Sequence, residues 1–152
     1  MRADVVRLEV PALPEYLALV RMVVAGTARI DPLLDDERVD DLRVIVSEAC
    51  TNAMEAMAER HAPLDDRGRI PMITVECRLS DAQVEVLVSD TGAGFDPEDL
   101  EALPAASDPA RLRFERGLGL PLIRALSDES EIRSGAEGTL VRVALHAATP
   151  SR

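Results

Sequence analysis

The sequence predicts an α+β domain in which a mixed β-sheet is covered on one face by helices. Strand-like runs occur as one early strand and two later pairs, instead of alternating strictly with helices. Two long stretches after the first strand, and a shorter one before the last pair, carry apolar residues at helical spacing. With 152 residues, 47% of them hydrophobic, the chain is large enough for one domain with its own core, and we assign residues 1–152 to it.

The first half of the chain predicts one strand and two helices. Residues 5–10 alternate loosely between apolar and polar positions, and Pro11 ends that strand. A helix follows over about residues 14–30, and Pro32 stops it because the residue before a proline avoids helical geometry. The second helix covers about residues 35–60 and begins with acidic residues, which favour a helix N-terminus. Its expected buried stripe consists of Val39, Leu42, Val46, Ala49, Ala53 and Met57.

The second half of the chain predicts two strand pairs separated by a long connection. Two strands form a hairpin around Ser80-Asp81, and a helix precedes two closing strands. The hairpin strands are expected at 70–79 and 83–89, the helix at 117–127, and the closing strands at 131–134 and 139–145. The segment of about residues 95–116 contains three prolines, and a connection of this length in a compact domain is usually functional. We therefore expect it to be a lid over a site.

The composition restricts the classes of partner. The formal net charge is −11, from 17 basic and 28 acidic residues, and no cluster of Lys and Arg stands out. Such a chain should repel nucleic acid and suit a partner with a basic face. No signal peptide and no apolar run of membrane-spanning length is apparent, so a cytoplasmic protein without membrane contact is expected. Cys50 and Cys77 lie in apolar runs and are expected to be reduced thiols in the core.

The second predicted helix carries a polar pair on an otherwise apolar segment. Glu48 and Asn52 are four residues apart and therefore lie one turn apart on the same helical face. An Asn oxygen suits Mg²⁺, which also takes phosphate oxygens, and a Glu one turn away can orient or deprotonate a hydroxyl beside the metal. A simpler interpretation, an exposed polar stripe on an amphipathic helix, is equally open from this segment alone.

Three later segments combine glycines with polar residues. Asp90-Thr91-Gly92-Ala93-Gly94 follows a strand, where a carboxylate can accept the exocyclic N–H of adenine, and its glycines allow close backbone approach and positive φ. Arg116-Gly117-Leu118-Gly119-Leu120 opens a helix, whose first N–H groups can hold phosphate oxygens. Gly138-Thr139 precedes the last strand, where the hydroxyl of Thr139 can support Asp90. Taken singly, these are also explained as an ordinary strand end, glycine turn, surface arginine or strand threonine.

In this order and spacing, the four segments resemble the ATP-binding domain shared by gyrase, Hsp90, histidine kinases and MutL, known as the GHKL superfamily. The length and flanks are most similar to its anti-sigma-factor serine/threonine kinases, over about residues 5–145. The resemblance implies a Bergerat-type ATP-binding sandwich that uses ATP and Mg²⁺. It implies that Asn52 binds the metal, Glu48 acts as general base and Arg116 contacts the terminal phosphate. The nucleotide-binding residues it implies are Asn52, Asp90, Gly92, Gly94, Gly117, Leu118, Gly119, Leu120 and Thr139.

The resemblance further implies that the protein sequesters a sigma factor in one state. In the other state it would phosphorylate a Ser or Thr of a STAS-type anti-anti-sigma protein. Homodimers are frequent in the family, so a second copy of the chain is another candidate partner. Two alternatives stay open: an ATP-dependent binding module with little kinase activity, and a detached histidine-kinase-type ATPase domain. Glu48 favours the kinase over the pure binder, whereas residues 108–114 lack the threonine-containing segment expected in the lid of the kinases.

Overall fold

The computed structural model describes residues 3–60, 64, 67–92 and 116–148. Every predicted strand and helix is present there, with small shifts at the ends. The strands are β1 (Ala3–Pro11), β2 (Met72–Ser80), β3 (Gln83–Ser89), β4 (Glu129–Gly135) and β5 (Gly138–His146). The helices are α1 (Leu17–Ala28), which a 3-10 turn at Pro14–Tyr16 precedes, α2 (Asp36–Arg60) and α3 (Arg116–Leu126). None of the helices in these ranges combines the length and the apolar character needed to cross a bilayer.

The five strands form one sheet in the order β1-β2-β3-β5-β4, and every neighbouring pair is antiparallel. The expectation of a mixed sheet is therefore wrong for the strands that the structure describes. Two of the pairs, β2 with β3 and β4 with β5, are hairpins. Strands joined by a short turn must run antiparallel. β3 and β4 run in the same direction, but β5 lies between them, so the two strands never pair as parallel neighbours.

The helices cover one face of the sheet, as predicted. In β2 the side chains of Ile73, Val75 and Cys77 are buried, and in β3 the register places Val86 and Val88 beside them. α1 contacts β2, α2 contacts β2, β3 and β5, and α3 contacts β4. The opposite face carries charged side chains that pair across strands, such as Arg142 with Glu85 at 2.6 Å. Alternation along each strand therefore separates an apolar, helix-covered face from a charged one.

α2 is the central element of the core. Asp35 caps it, because its Oδ1 accepts the backbone N–H of Arg38 at 2.8 Å, as an N-cap side chain does. The six residues predicted for the buried stripe are all buried: Val39, Leu42, Val46, Ala49, Ala53 and Met57. Cys50 on α2 and Cys77 on β2 are buried free thiols, and burial raises the pKa of each to about 12. A thiol with so high a pKa is a core residue and not a nucleophile at neutral pH.

Candidate functional site

Asp90 lies directly after the C-terminal end of β3, the central strand, where a side chain can point out of the sheet. Its backbone N–H donates to the carbonyl oxygen of Thr139 at 3.0 Å, and its Oδ1 accepts the N–H of Gly92 at 2.8 Å. Burial raises the pKa of Asp90, and hydrogen bonds from the backbones of Gly92 and Thr139 act in the opposite direction. The backbones of Gly92 and Thr139 thus hold the carboxylate in place at the end of the sheet.

Gly138 fixes the position of Asp90 from the β5 side. Its φ is +131°, in the region that residues with a side chain rarely adopt. A Cβ there would overlap with the carbonyl oxygen of Asp90 and come within 2.8 Å of the Cα of Thr91. The Gly-Thr pair is visible in the sequence, but sequence reasoning assigned the site role to Thr139 alone and missed this contact.

Gly92 fixes the same loop against α2. An added Cβ on Gly92 would lie 2.5 Å from the carbonyl carbon of Ala56 and 2.7 Å from the nitrogen of Met57. Gly92 does not use the positive φ that a glycine permits, because the glycines with positive φ in the described residues are Gly68 and Gly138. Gly92 is needed because the loop after β3 rests directly on the α2 backbone, where any side chain would be in the way.

Asn52 lies one helical turn before this contact. Asn52 and Ala56 are four residues apart on α2. The Asn52 side chain and the Ala56 backbone against which Gly92 lies are therefore on one face of the helix. Asn52 Nδ2 is the one buried side-chain nitrogen or oxygen without a hydrogen-bond partner in the ranges the structure describes. Leaving a buried amide donor unpaired costs about 1–3 kcal/mol, and an acceptor such as a phosphate oxygen would remove that cost. Glu48, one turn earlier on the same face, is half-buried.

Thr139 is buried, and its hydroxyl is held by a residue that the sequence did not single out. Thr139 Oγ1 lies 2.7 Å from Ser134 Oγ on the neighbouring strand β4. The pair lies directly opposite in the β4–β5 register, so the hairpin itself brings the two hydroxyls together. The spacing of Ser134 and Thr139 around the Gly135–Gly138 turn was the signal that could have indicated this contact.

The remaining predicted site residues lie on or before α3. α3 begins at Arg116, so the backbone of Gly117, Leu118 and Gly119 forms the first turn of a helix that packs against α2. Leu120 is buried, with 3% of its surface exposed, and belongs to the core. Gly94 and residues 95–115 of the expected lid lie outside the described residues. The first-turn N–H groups of a helix lack intrahelical partners and can bind phosphate oxygens, as the sequence predicts for this segment.

The arrangement can accommodate a nucleotide with a bound cation. A carboxylate, a buried amide and a helix N-terminus lie on elements that pack against one another, around α2. The described residues contain no group of three or more His, Cys, Asp or Glu side chains suited to a metal ion. A cation held by Asn52 would therefore take most of its ligands from phosphate oxygens and water, as Mg²⁺ commonly does.

Comparison with known proteins places the chain among ATPase domains and kinases. Residues 10–145 match the family model of the histidine kinase-like ATPase domain. The serine-protein kinase RsbW of Bacillus pumilus (strain SAFR-032) is 33% identical over 141 residues, covering 90% of this chain and 83% of that protein. RsbW of Bacillus cereus (strain ATCC 10987 / NRS 248) is 34% identical over 135 residues, covering 86% of this chain and 78% of the relative.

A solved structure supports the fold independently. The crystal structure of the RsbU and RsbW domains of Rv1364c from Mycobacterium tuberculosis matches with a TM-score of 0.67 and 21% sequence identity. The match covers 98% of this chain and 34% of that longer chain. At this identity the likeness concerns the fold, which is the helix-covered five-stranded sheet described above.

Proposed function

We propose that this chain, which belongs to the family of histidine kinase-like ATPase domains, is an ATP-dependent serine/threonine-protein kinase and anti-sigma factor. Its phosphate acceptor would be a Ser or Thr of a STAS-type anti-anti-sigma protein. In the other state of the switch it would bind a sigma factor and keep it inactive. The serine-protein kinases to which the chain is similar support the transferase activity.

The observation that carries the proposal is the buried Nδ2 of Asn52, which lies beside the Asp90 loop and has no hydrogen-bond partner among the described residues. The loop from Asp90 to Gly92 rests on α2 one turn after Asn52, so one bound molecule can reach both side chains. A nucleotide fits this pair, because adenine presents an N–H donor to the carboxylate and the phosphates present oxygens to the amide. A protein that only packs its core has no need of an unsatisfied amide at this place.

Each side chain then has one task in phosphoryl transfer. Asp90 would select adenine, since guanine carries an oxygen where adenine carries its amino group. Asn52 and the first turn of α3 would hold the phosphates, and Mg²⁺ bound there would neutralise charge on them. The acceptor hydroxyl attacks the γ-phosphorus, the bond to the β-phosphate oxygen breaks, ADP leaves, and Glu48 takes the hydroxyl proton. Arg116 would contact the terminal phosphate.

The proposal also includes the partners and the location. The net charge of −11 suits partners with basic surfaces and disfavours direct nucleic-acid binding. ATP, sigma factors and their antagonists are found in the cytoplasm, and we place the protein there. A second copy of the chain is a further proposed partner.

Phosphate transfer to a STAS-domain protein tests the proposal most directly. The purified chain is incubated with ATP, Mg²⁺ and a candidate STAS partner, and the mass of the partner is then measured by intact-mass spectrometry. We expect a mass gain of one phosphoryl group that requires both ATP and Mg²⁺. A partner in which the acceptor Ser or Thr is replaced by Ala is the control.

The same preparation separates the proposed kinase from a binding module. Sigma-factor binding is measured with ATP, with ADP and without nucleotide. ATP binding and ATP-dependent sigma binding without transfer to any STAS partner would replace the kinase by an ATP-gated sequestration module. Absence of ATP binding would overturn both.

A further inference from the structure

Arg38, in the first turn of α2, joins three elements at the end of the domain opposite to Asp90. Its Nη1 donates to the carbonyl oxygen of Leu126 at 2.9 Å, and Leu126 is the last residue of α3. Its Nη2 donates to Asp128 Oδ2 at 2.7 Å, just before β4. Asp41 on α2 also accepts a hydrogen bond from Nη1, at 3.0 Å, which holds the guanidinium in place.

Asp128 extends this contact into the sheet. Its Oδ2 also accepts the backbone N–H of His146 at 2.8 Å, and its own N–H donates to the carbonyl oxygen of Ala144 at 3.0 Å. The His146 N–H and the positive charge of Arg38 lower the pKa of Asp128. The connection between α3 and β4 is thereby tied both to α2 and to the end of β5. We call Arg38 and Asp128, with the Leu126 carbonyl, the α3 clamp.

The α3 clamp holds the C-terminal end of the helix whose N-terminal turn is proposed to bind phosphate. The last carbonyls of a helix lack intrahelical partners, and a cation there also suits the helix dipole. At about 1.5 Å per residue, Gly117 lies roughly 14 Å along α3 from Leu126, and Asn52 lies roughly 21 Å along α2 from Arg38. Because the two helices pack against each other and are joined at this end, the first turn of α3 ends roughly 7 Å short of the level of Asn52 along α2. A phosphate group could bridge a separation of this size.

The α3 clamp is far from the adenine end of the site. Thr139 and His146 are seven residues apart on β5, which corresponds to roughly 23 Å along a strand. Asp90 is fixed by Gly92 and Gly138, and the atoms nearest to a Cβ on either glycine belong to Ala56, Met57, Asp90 and Thr91. Loss of the clamp should therefore disturb the phosphate half of the site and leave the adenine half intact.

We propose that Arg38 is a positioning residue for phosphate binding, which acts by setting the place of α3 along α2. This inference rests on the proposed function, because it assumes that the first turn of α3 and Asn52 hold the phosphates together. Arg38 itself would contact no atom of the nucleotide. Its effect comes from the geometry that it imposes on the helix. In enzymes, a misplacement of reacting groups by about 1 Å can lower the rate on the order of 100-fold.

The test compares ATP with adenosine, which has the base and sugar but no phosphate. Affinities for both are measured by calorimetry for wild type, Arg38→Met and Asp128→Asn. We expect the affinity for ATP to fall by roughly 10- to 100-fold in Arg38→Met, and less in Asp128→Asn, where the Leu126 contact stays. The affinity for adenosine should stay within about 2-fold of wild type in both.

Arg43→Met is the matched control, because Arg43 is another α2 arginine and pairs with Asp40 on the same helix. It should change neither affinity. Hydrogen exchange without nucleotide adds a readout that does not depend on binding: residues 116–120 should exchange faster in Arg38→Met than in Arg43→Met. If Arg38→Met fails to fold, Asp128→Asn carries the same comparison.

The outcomes are distinguishable from failure of the proposed function. Equal loss of ATP and adenosine affinity in Arg38→Met would show a general structural role and overturn the inference. Unchanged ATP affinity in both clamp variants would overturn it as well. Wild-type protein that binds no ATP would instead contradict the proposed function itself.

Discussion

Gly138 and Asp90 are in direct backbone contact. Gly138 has a φ of +131°, and any Cβ placed on it would collide with the carbonyl oxygen of Asp90. The N–H of Asp90 donates to Thr139, the residue after Gly138, so the end of β3 is fixed against the start of β5. The position of the Asp90 carboxylate thus depends on a residue that has no side chain of its own.

Gly138→Ala should weaken both folding and nucleotide binding. The φ of Gly138 alone costs roughly 1–2 kcal/mol for a residue with a Cβ, and the collision with Asp90 adds to it. Urea unfolding and adenosine titration measure the two effects. Gly135→Ala is the control in the same turn, since a Cβ on Gly135 meets nothing within 4 Å. Equal behaviour of the two variants would contradict the proposed contact.

Asp90→Asn should reduce the preference for adenine. The amide replaces a charged acceptor by a neutral one, and ATP affinity should fall by about 1–3 kcal/mol because a charge-assisted hydrogen bond is lost. GTP affinity should change little, so the ratio of the two affinities reports the role of the carboxylate. A variant that keeps the wild-type ratio would exclude Asp90 as the base-selecting group.

Asp90 should also make stability depend on pH in the absence of nucleotide. Burial raises its folded-state pKa above the ordinary value of 3.8, so the folded state binds its proton more tightly than the unfolded state. Wild type should therefore lose stability relative to Asp90→Asn as the pH rises from about 4 through the raised pKa. ATP affinity should change in the opposite sense and fall as the pH falls through that pKa. Urea unfolding at several pH values measures the first effect.

Asp128 should contribute stability of the opposite pH dependence. Its folded-state pKa is lowered by the N–H of His146 and by Arg38, so its contribution is present above the ordinary value of 3.8 and lost below it. The difference in unfolding free energy between wild type and Asp128→Asn should be constant near neutral pH. It should become smaller as the pH falls through the lowered pKa of Asp128. Asp36→Asn, at a more exposed pair with Arg29, should show a smaller difference at every pH.

Sequence periodicity predicted the elements well, because it reports directly on which face of a strand or helix is buried. The stripe of α2 and the β2–β3 hairpin followed from local spacing alone. The antiparallel order of the sheet did not follow from it, since β3 pairs with β5 although the expected lid, α3 and β4 lie between them in the chain. Pairings between distant segments leave no local pattern.

The candidate site was predictable in its residue types but not in its contacts. Asp90 and Asn52 were predicted from their chemistry and from the family resemblance of the four segments. The contacts of Gly92 and Gly138 were not, because a glycine in a motif does not say which backbone it approaches. Arg38 lies among Asp36, Glu37 and Asp40, where a sequence indicates only a charged, solvated helix start. Its partners on α3 and before β4 are revealed only by the fold.

Glu48→Gln should separate catalysis from binding. Glu48 and Asn52 share a face of α2. In the described ranges, Asn52 Nδ2 is a buried side-chain atom without a hydrogen-bond partner, and no atom of Glu48 is. Glu48→Gln keeps the shape of the side chain and removes the base, so ATP affinity should change little while phosphate transfer falls by roughly 100- to 10,000-fold. Asn52→Ala should lower ATP affinity and transfer together, because it removes the proposed ligand of the phosphate-bound cation.

Sigma-factor binding in Glu48→Gln completes the comparison. Because the fold and nucleotide occupancy are kept, the variant should still bind the sigma factor in the presence of ATP. Transfer to the STAS partner is followed by intact mass and ATP affinity by calorimetry, with wild type and Asn52→Ala measured in the same series. Transfer at the wild-type rate by Glu48→Gln would mean that Glu48 is not the base and that the acceptor hydroxyl loses its proton to another group.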